Sequence, residues 1–428
     1  HSVTCIESSK IGIIGAGEGS TGSLTNIIQN EMFDFGCNEQ DFIKECDATI
    51  KLGIKHIGWN EDPSKFYIGP IDGTPTSNDR CDIVFQHALG YREQDYLHLA
   101  TELGYKIHHN KNSFVQVNGN HAYHFDAHKV GQYFKKISDT VTHIDSEVEH
   151  VKLNSESGYV DGVKLSNGNT VEGDMFIDAS GFNQVLMKAV GGKWKSYRDN
   201  LPVNIFLPFL LPYEDDEVIQ PVTNAWAQNN GWCWQIPTKN RRGCGYVFCD
   251  SFVTPDQAHA ELEQTLGRKV EPIRHIKFDS GRQETLWIKN VLSIGLCAAF
   301  AEPLEATSIH TTIMQLKHFI YGSLGATRDQ TCNEGTVEEY NKTNGHLYDT
   351  MKDFLVAHYT CGRRDTEFWK YIDSGATSTD FVRSIHEVCK HRVPNATLFP
   401  RQEGSAGWPL WSYVLAGTGA LTSEVAEK

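Results

Sequence analysis

Several groups of residues in the chain could do chemistry on type and spacing. Gly17-Glu18-Gly19-Ser20-Thr21-Gly22 matches G-x-G-x-x-G, the pattern that lets a pyrophosphate approach backbone at a helix N-terminus. His121, His124, Asp126 and His128 supply imidazole and carboxylate groups. If 124–137 is helical, His124 and His128 share one face and suit zinc, which would mean a hydrolase; the plainer reading is histidines that anchor the helix to the core. Trp232 and Trp234 alternate, so on a strand both rings face one side, as core or as the wall of a site. Lys51 stands in the apolar run Ile50-Lys51-Leu52-Gly53-Ile54, although a lysine on type alone is a solvated helix residue.

Position argues against the glycine loop as a dinucleotide fingerprint. That fingerprint lies on the first βα turn, and the acid that binds ribose follows about 20 residues later. Here residues 2–7 alternate like a strand and end in an acid, Glu7, before the glycines. Glu7 therefore reads as the end of a second strand. The first strand, its glycine turn and its helix are expected upstream, in roughly 25–35 residues. Glu7 is then the acceptor for the adenosine ribose hydroxyls, or else a solvated strand-end acid.

The elements that must position these residues read as follows. Helical spacing covers 23–35 and 39–57, the latter through Phe42, Ile43, Cys46 and Ile50; 309–324 and 337–358 are further helices. Residues 60–80 are rich in Pro, Gly, Asp and Ser and read as loop. Residues 142–178 alternate and contain Asn167-Gly168, a hairpin signal. Met175-Phe176-Ile177-Asp178 before Ala179-Ser180-Gly181, and Val291-Leu292-Ser293-Ile294-Gly295, are buried strands feeding glycine turns. The fold class is therefore α/β, a doubly wound nucleotide-binding core with an inserted mixed-sheet substrate region and a helical C-terminal layer. The division expected is 1–59 core, 60–120 substrate insertion, 121–185 core, 186–270 substrate sheet, 271–330 core, and 331–428 helical layer.

Bulk composition narrows the function. The 428 residues carry a formal charge of -15, which disfavours nucleic acid as a partner. No apolar run reaches the length of a membrane span. The 11 cysteines are scattered without a C-x-x-C pair, which predicts reduced thiols and a cytoplasmic location. Oligomeric state is open, and a homo-oligomer is compatible with everything above.

Longer blocks then carry a resemblance. Gly15-Ala16-Gly17-Glu18-Gly19-Ser20-Thr21 followed by Asp47-Ala48-Thr49-Ile50-Lys51-Leu52-Gly53-Ile54-Lys55 resembles the flavin-dependent tryptophan halogenases. So do Tyr123-His124-Phe125-Asp126-Ala127-His128, Asp178-Ala179-Ser180-Gly181-Phe182 and Gly231-Trp232-Cys233-Trp234-Gln235-Ile236-Pro237. The likeness continues through Ser293-Ile294-Gly295, Glu302-Pro303-Leu304-Glu305-Ala306-Thr307-Ser308-Ile309, Ala357-His358-Tyr359 and Val414-Leu415-Ala416-Gly417, in family order over nearly the whole chain. A phage-encoded member with an altered substrate is within what these blocks allow.

The resemblance implies an enzyme in which FADH2, dioxygen and a chloride, bromide or iodide ion give hypohalous acid. It places Lys51 as the residue that captures the oxidised halogen and Glu305 as the acceptor of the proton from the arenium carbon. It puts the halide at the Thr307 and Ser308 amides, where a helix N-terminus favours an anion. It gives Glu7, Ala16, Gly17, Glu18, Gly19, Val148, Gly295, Ala306 and Ile309 to FAD, and makes Trp232 and Trp234 a screen between flavin and substrate. No metal is expected. No NADPH-binding motif is visible, so a separate NAD(P)H-dependent flavin reductase is the expected partner. Where family members carry Ser-Thr-Gly this chain has Ala-Thr-Ser, which puts halide preference in doubt.

The substrate region departs from the family as well. Ile68 and Pro70 follow Phe66-Tyr67 where the family has its indole-stacking His and aromatic, and 398–411 is compact. An electron-rich phenol, indole or other heteroarene is expected rather than free tryptophan, with Phe66, Tyr67, Trp408 and Trp411 as candidate walls. An FAD-dependent aromatic hydroxylase, needing neither a Lys51–Glu305 pair nor a tryptophan screen, and a non-catalytic FAD-binding protein are the alternatives.

Overall fold

The computed structural model describes residues 2–12, 15, 18–30, 35–71, 105–107, 114–116, 121–215, 217–324, 333–400 and 402–426. Two parallel half-sheets form the nucleotide-binding side. Thr4–Glu7 pairs with Thr142–Asp145, so Glu7 and Asp145 lie side by side at the carboxyl ends. Phe176–Asp178 pairs with Val291–Ser293, so Asp178 and Ser293 do the same. Ile6, Ile144, Phe176 and Val291 share one apolar cluster with the three-stranded sheet Val148–Leu153, Val160–Leu165 and Thr170–Glu172. The expected hairpin is present there, with Gly168 at φ +86°. Asp178 clasps its own turn: one carboxylate oxygen accepts from the Ser180 amide, and the other accepts from the Leu186 and Met187 amides at 2.8 Å.

A seven-stranded sheet forms the second layer. Its order is Ile276–Lys277, Ile205–Leu211, Arg242–Phe248, Gly231–Pro237, Val222–Ala227, Gly53–Ile57 and Phe66–Pro70. One face packs under the C-terminal helices in the largest core cluster, which holds Trp59, Trp232, Trp234, Trp369 and Trp411. The helices Glu334–Tyr359, Glu367–Asp373, Asp380–Cys389 and Trp408–Gly417 supply the cover.

Three expectations about local structure are corrected. Residues 39–57 are not one helix. Asn38 caps Glu39–Glu45 by accepting from the Asp41 amide, Asp47 turns left-handed at φ +50°, and the chain leaves as strands Thr49–Lys51 and Gly53–Ile57. The periodicity misled because 48–54 is buried on every side and so shows no alternation. Residues 66–70, read as loop, are an edge strand of the large sheet; an edge tolerates Pro70, which lacks a backbone donor. The helix placed at 124–137 starts at Ala127, with Asp126 as its N-cap. His124 belongs to the preceding strand Ala122–Phe125, so it does not share a helix face with His128.

Elsewhere the boundaries move less. Residues 23–35 yield the helix Gly22–Ile28, with 31–34 outside the described residues. The 309–324 segment is the helix Thr307–Lys317 continued by a π-helical turn, His318–Leu324. Nine cysteines among the described residues are free. No helix among the described residues is long and apolar enough to cross a membrane.

Candidate active site

Lys51 is fully buried, at 0% exposure, and its ammonium nitrogen donates to the Ser20 carbonyl at 2.9 Å. Burying a lysine among apolar groups is costly, so its partners must be built in. The short sheet Glu18–Gly19, Ala122–Phe125, Thr49–Lys51 does this. It sets Gly19 and Lys51 on either side of the central strand, where a Cβ on Gly19 would stand 3.2 Å from the lysine nitrogen. His124, also at 0% exposure, lies between Thr49 at 3.4 Å and Thr223 at 2.8 Å. Burial first, and the Lys51 charge second, hold His124 well below the ordinary histidine range. It is therefore a neutral spacer beside a cation. Glu18 is pushed up to about 8 by burial, aided by Asp126.

The histidines of the rival metal reading do not converge. His121 bonds Glu39 at 2.9 Å, His124 the two threonines, and the exposed side of His128 meets Gln132.

Glu305 is held by backbone geometry that few non-glycine residues adopt. Glu305 and Ala306 are both left-handed, at φ +64° and +54°. Two such residues in succession are strained and mark a site that the surroundings over-determine. They end the Leu304–Ala306 turn and aim the chain into the helix Thr307–Lys317. That helix has no side-chain N-cap and no acid in its first turn. The amides of Thr307 and Ser308 therefore sit among helix N-terminal donors that suit an anion.

Two histidines meet the Glu305 carboxylate. His358 Nε2 is 3.1 Å and His56 Nε2 is 2.9 Å from the same oxygen, Oε1. Burial alone would raise this carboxyl, but the His358 and His56 partners outweigh it and hold Glu305 well below the usual carboxylate range. In the sequence His358 stands only within the block Ala357-His358-Tyr359, and His56 belongs to no motif. Its partner Glu305 is 249 positions away, and only the pairing of Gly53–Ile57 into the large sheet brings them together. The register of that sheet also stacks the Tyr67 ring on His56, with centroids 4.6 Å apart and planes within 11°.

A cavity of about 100 Å³ opens between these elements. Its lining includes Thr21, Ile54, Glu305, Thr307, His310, Met351, Phe354 and Leu410. Thr21 follows the carbonyl that holds Lys51, and Ile54 is three residues beyond Lys51; both line the cavity together with Glu305 and Thr307. Among the described residues no lysine or arginine lines it. None of the four aromatic wall candidates is among these lining residues. Trp411 packs on Phe354 and Phe399, Trp408 on Phe399, Tyr67 on His56, and Phe66 under the Lys55 ammonium.

Trp232 and Trp234 do face one side of their strand, centroids 6.1 Å apart, and both are buried in the core under the C-terminal helices. Gly295, at φ +59°, begins the turn after Val291–Ser293 and lies beside Thr312 of the Thr307 helix. Val148 opens its strand, half-buried. Ile309 is in the first turn of the Thr307 helix. Glu7, half-exposed, pairs with Lys135. Ala16 and Gly17 lie outside the described residues.

Parallel strands with acids at their carboxyl ends, a glycine turn, an uncapped helix N-terminus and a fully buried lysine fit a nucleotide-cofactor enzyme of α/β class. The tryptophan halogenase family model matches residues 1–428, and the chain belongs to that family, the flavin-dependent halogenases. It is 30% identical to tryptophan 6-halogenase SttH of Streptomyces toxytricini, over 98% of this chain and 84% of that protein. It is 29% identical to 7-chloro-L-tryptophan 6-halogenase KtzR of Kutzneria sp. (strain 744), over 98% of this chain and 86% of that one. The solved structure of Tar14, a tryptophan C-6 flavin-dependent halogenase from taromycin biosynthesis, superposes with a TM-score of 0.85 at 28% identity, covering 98% and 86% of the two chains.

Proposed function

We propose that the chain halogenates an electron-rich aromatic held in the Glu305 cavity, with Lys51 delivering the halogen and Glu305 taking the ring proton. The observation that carries this reading is the full burial of Lys51, tethered to the Ser20 carbonyl next to Thr21, which lines the same cavity as Glu305 and Thr307. Bound FADH2 supplies, with dioxygen, the oxidising power that turns halide into hypohalous acid. The residues present fit that cofactor: Glu7 at a strand end suits ribose, and the Gly295 turn and the Thr307 helix start leave backbone close and donors open. A separate reductase would supply the reduced flavin.

Each side chain then has one task. The Thr307 and Ser308 amides hold the halide. Lys51 receives hypohalous acid, either as a haloamine or through a hydrogen bond from its ammonium that polarises the halogen–oxygen bond. Glu305, kept ionised by its histidines, accepts the proton when the ring regains aromaticity. Trp232 and Trp234 separate the substrate from the flavin side. The substrate is a phenol, indole or heteroarene rather than free tryptophan, because Ile68 and Pro70 stand where the family has its indole-stacking His and aromatic and 398–411 is compact. The nucleotide-binding parts are 1–59, 121–185 and 271–330, and the remainder shapes the substrate side.

The test is a reaction with FAD, a flavin reductase, oxygen, halide salts and a panel of phenols, indoles, heteroarenes and free tryptophan, read by mass. A halogen substitution on members other than free tryptophan is expected. An oxygen insertion would assign a hydroxylase instead, and no mass change with flavin bound would assign a non-catalytic FAD protein.

A further inference from the structure

His56, Glu305 and His358 form the cluster among the described residues that could hold a metal ion, with one ligand atom from each lying within 4.8 Å of the others. The tautomer of His358 is fixed by its surroundings. Its Nδ1 is 2.9 Å from the Phe354 carbonyl, which can only accept, so Nδ1 carries a proton. Nε2 then faces the Glu305 oxygen at 3.1 Å, as a donor in the imidazolium and as a lone pair able to ligate in the neutral ring. His56, at 1% exposure, sends its Nε2 toward the same oxygen at 2.9 Å. Three atoms of metal-ligating type therefore converge here.

We propose that His56 Nε2, His358 Nε2 and Glu305 Oε1 bind a divalent transition-metal ion of the zinc class, with the fourth position open to the cavity. Bonds of roughly 2.0–2.1 Å at tetrahedral angles set neighbouring ligand atoms about 3.3 Å apart; the two histidine-to-Glu305 spacings, 2.9 and 3.1 Å, are a few tenths of an ångström shorter, and all three atoms lie within 4.8 Å of one another. The outer partners are those a metal site needs. The Phe354 carbonyl orients the His358 ring, and the Tyr67 ring stacked on His56 fixes its plane. The ion reaches the site through the cavity that Glu305 lines. A metal on Oε1 withdraws the carboxylate from proton acceptance, so occupancy switches halogenation off; this last consequence rests on the function proposed above, and the binding itself does not.

The test is cobalt(II) and zinc titration of the whole chain, wild type against His56→Phe and His358→Phe, each checked by circular dichroism. Wild type is expected to bind one ion per chain, with visible cobalt d–d bands of a four- or five-coordinate site and no sulfur-to-cobalt charge-transfer band. Each variant should lose more affinity than the roughly 10–100-fold that outer partners contribute. No binding by wild type, thiolate bands, or unchanged binding in both folded variants overturns the site. Zinc bound there without loss of turnover overturns the switch alone. Binding as expected in a protein that halogenates nothing leaves the metal site standing and removes the proposed function.

Discussion

A Cβ placed on Gly19 would stand 3.2 Å from Lys51 Nζ, closer than a side-chain contact normally comes. The same nitrogen is tethered to the next carbonyl, Ser20, so it cannot step aside without losing that bond. The same Cβ would also meet Thr223 Oγ1 at 3.5 Å and His124 Cδ2 at 3.7 Å. Gly19→Ala therefore displaces the lysine by a few tenths of an ångström rather than being absorbed. Turnover is expected to fall on the order of 10–100-fold, since small misplacements of a reacting group cost that much. Steady-state kinetics on the most reactive arene checks this, and an unchanged kcat would show that the lysine position is not critical.

Removing the amine itself is the sharper experiment. Lys51→Ala should abolish halogenation while flavin titration still shows FAD bound. The Ser20 carbonyl is left buried without its donor, at a cost of about 1–3 kcal/mol in stability. Lys51→Met, which refills the space, should recover part of that stability and none of the activity. Near-wild-type turnover in either variant would remove the role assigned to this residue.

Part of the fold around this site is legible in the sequence. The strand-then-glycine units at Asp178 and Ser293 lie parallel, although the first is not the buried strand expected, since Ile177 is 45% exposed; the Trp232–Trp234 alternation gives one face. What failed did so for physical reasons. A fully buried segment such as 48–54 has no exposed side, so periodicity cannot separate helix from strand there. Proline and glycine made 66–70 look like loop because an edge strand forgives them. His56 carries no local signal at all: its meaning lies in the Gly53–Ile57 strand joining a sheet whose members other than Phe66–Pro70 begin beyond residue 204. The aromatic candidates were indistinguishable from core by type, and Trp411 is at 0% exposure.

That burial separates two uses of tryptophan by experiment. Trp411 packs against Phe354, Phe381 and Phe399. Trp411→Ala should cost about 3–5 kcal/mol, the range for deleting a large buried aromatic. A chemical denaturation midpoint reads the loss directly. A variant of unchanged stability whose KM rises would instead place Trp411 against the substrate.

Glu302 differs from Glu305 in the direction of its shift, three residues away on the same segment. It is fully buried, and burial pushes its carboxyl up to about 8, against a lowering by the Tyr359 hydroxyl, which donates to Oε2 at 3.0 Å. The folded state thus keeps this acid neutral at pH values where the unfolded chain, near 4.5, has lost the proton. Its contribution to stability is complete below the unfolded pKa and is lost as pH rises through the folded one. Glu302→Gln keeps an acceptor for Tyr359 and cannot ionise. Relative to this variant, wild type should lose thermal stability progressively from about pH 4.5 to about pH 8, with no further change above. Melting temperatures of both proteins across that window measure the difference, and two parallel pH profiles would show that Glu302 is ionised in the fold.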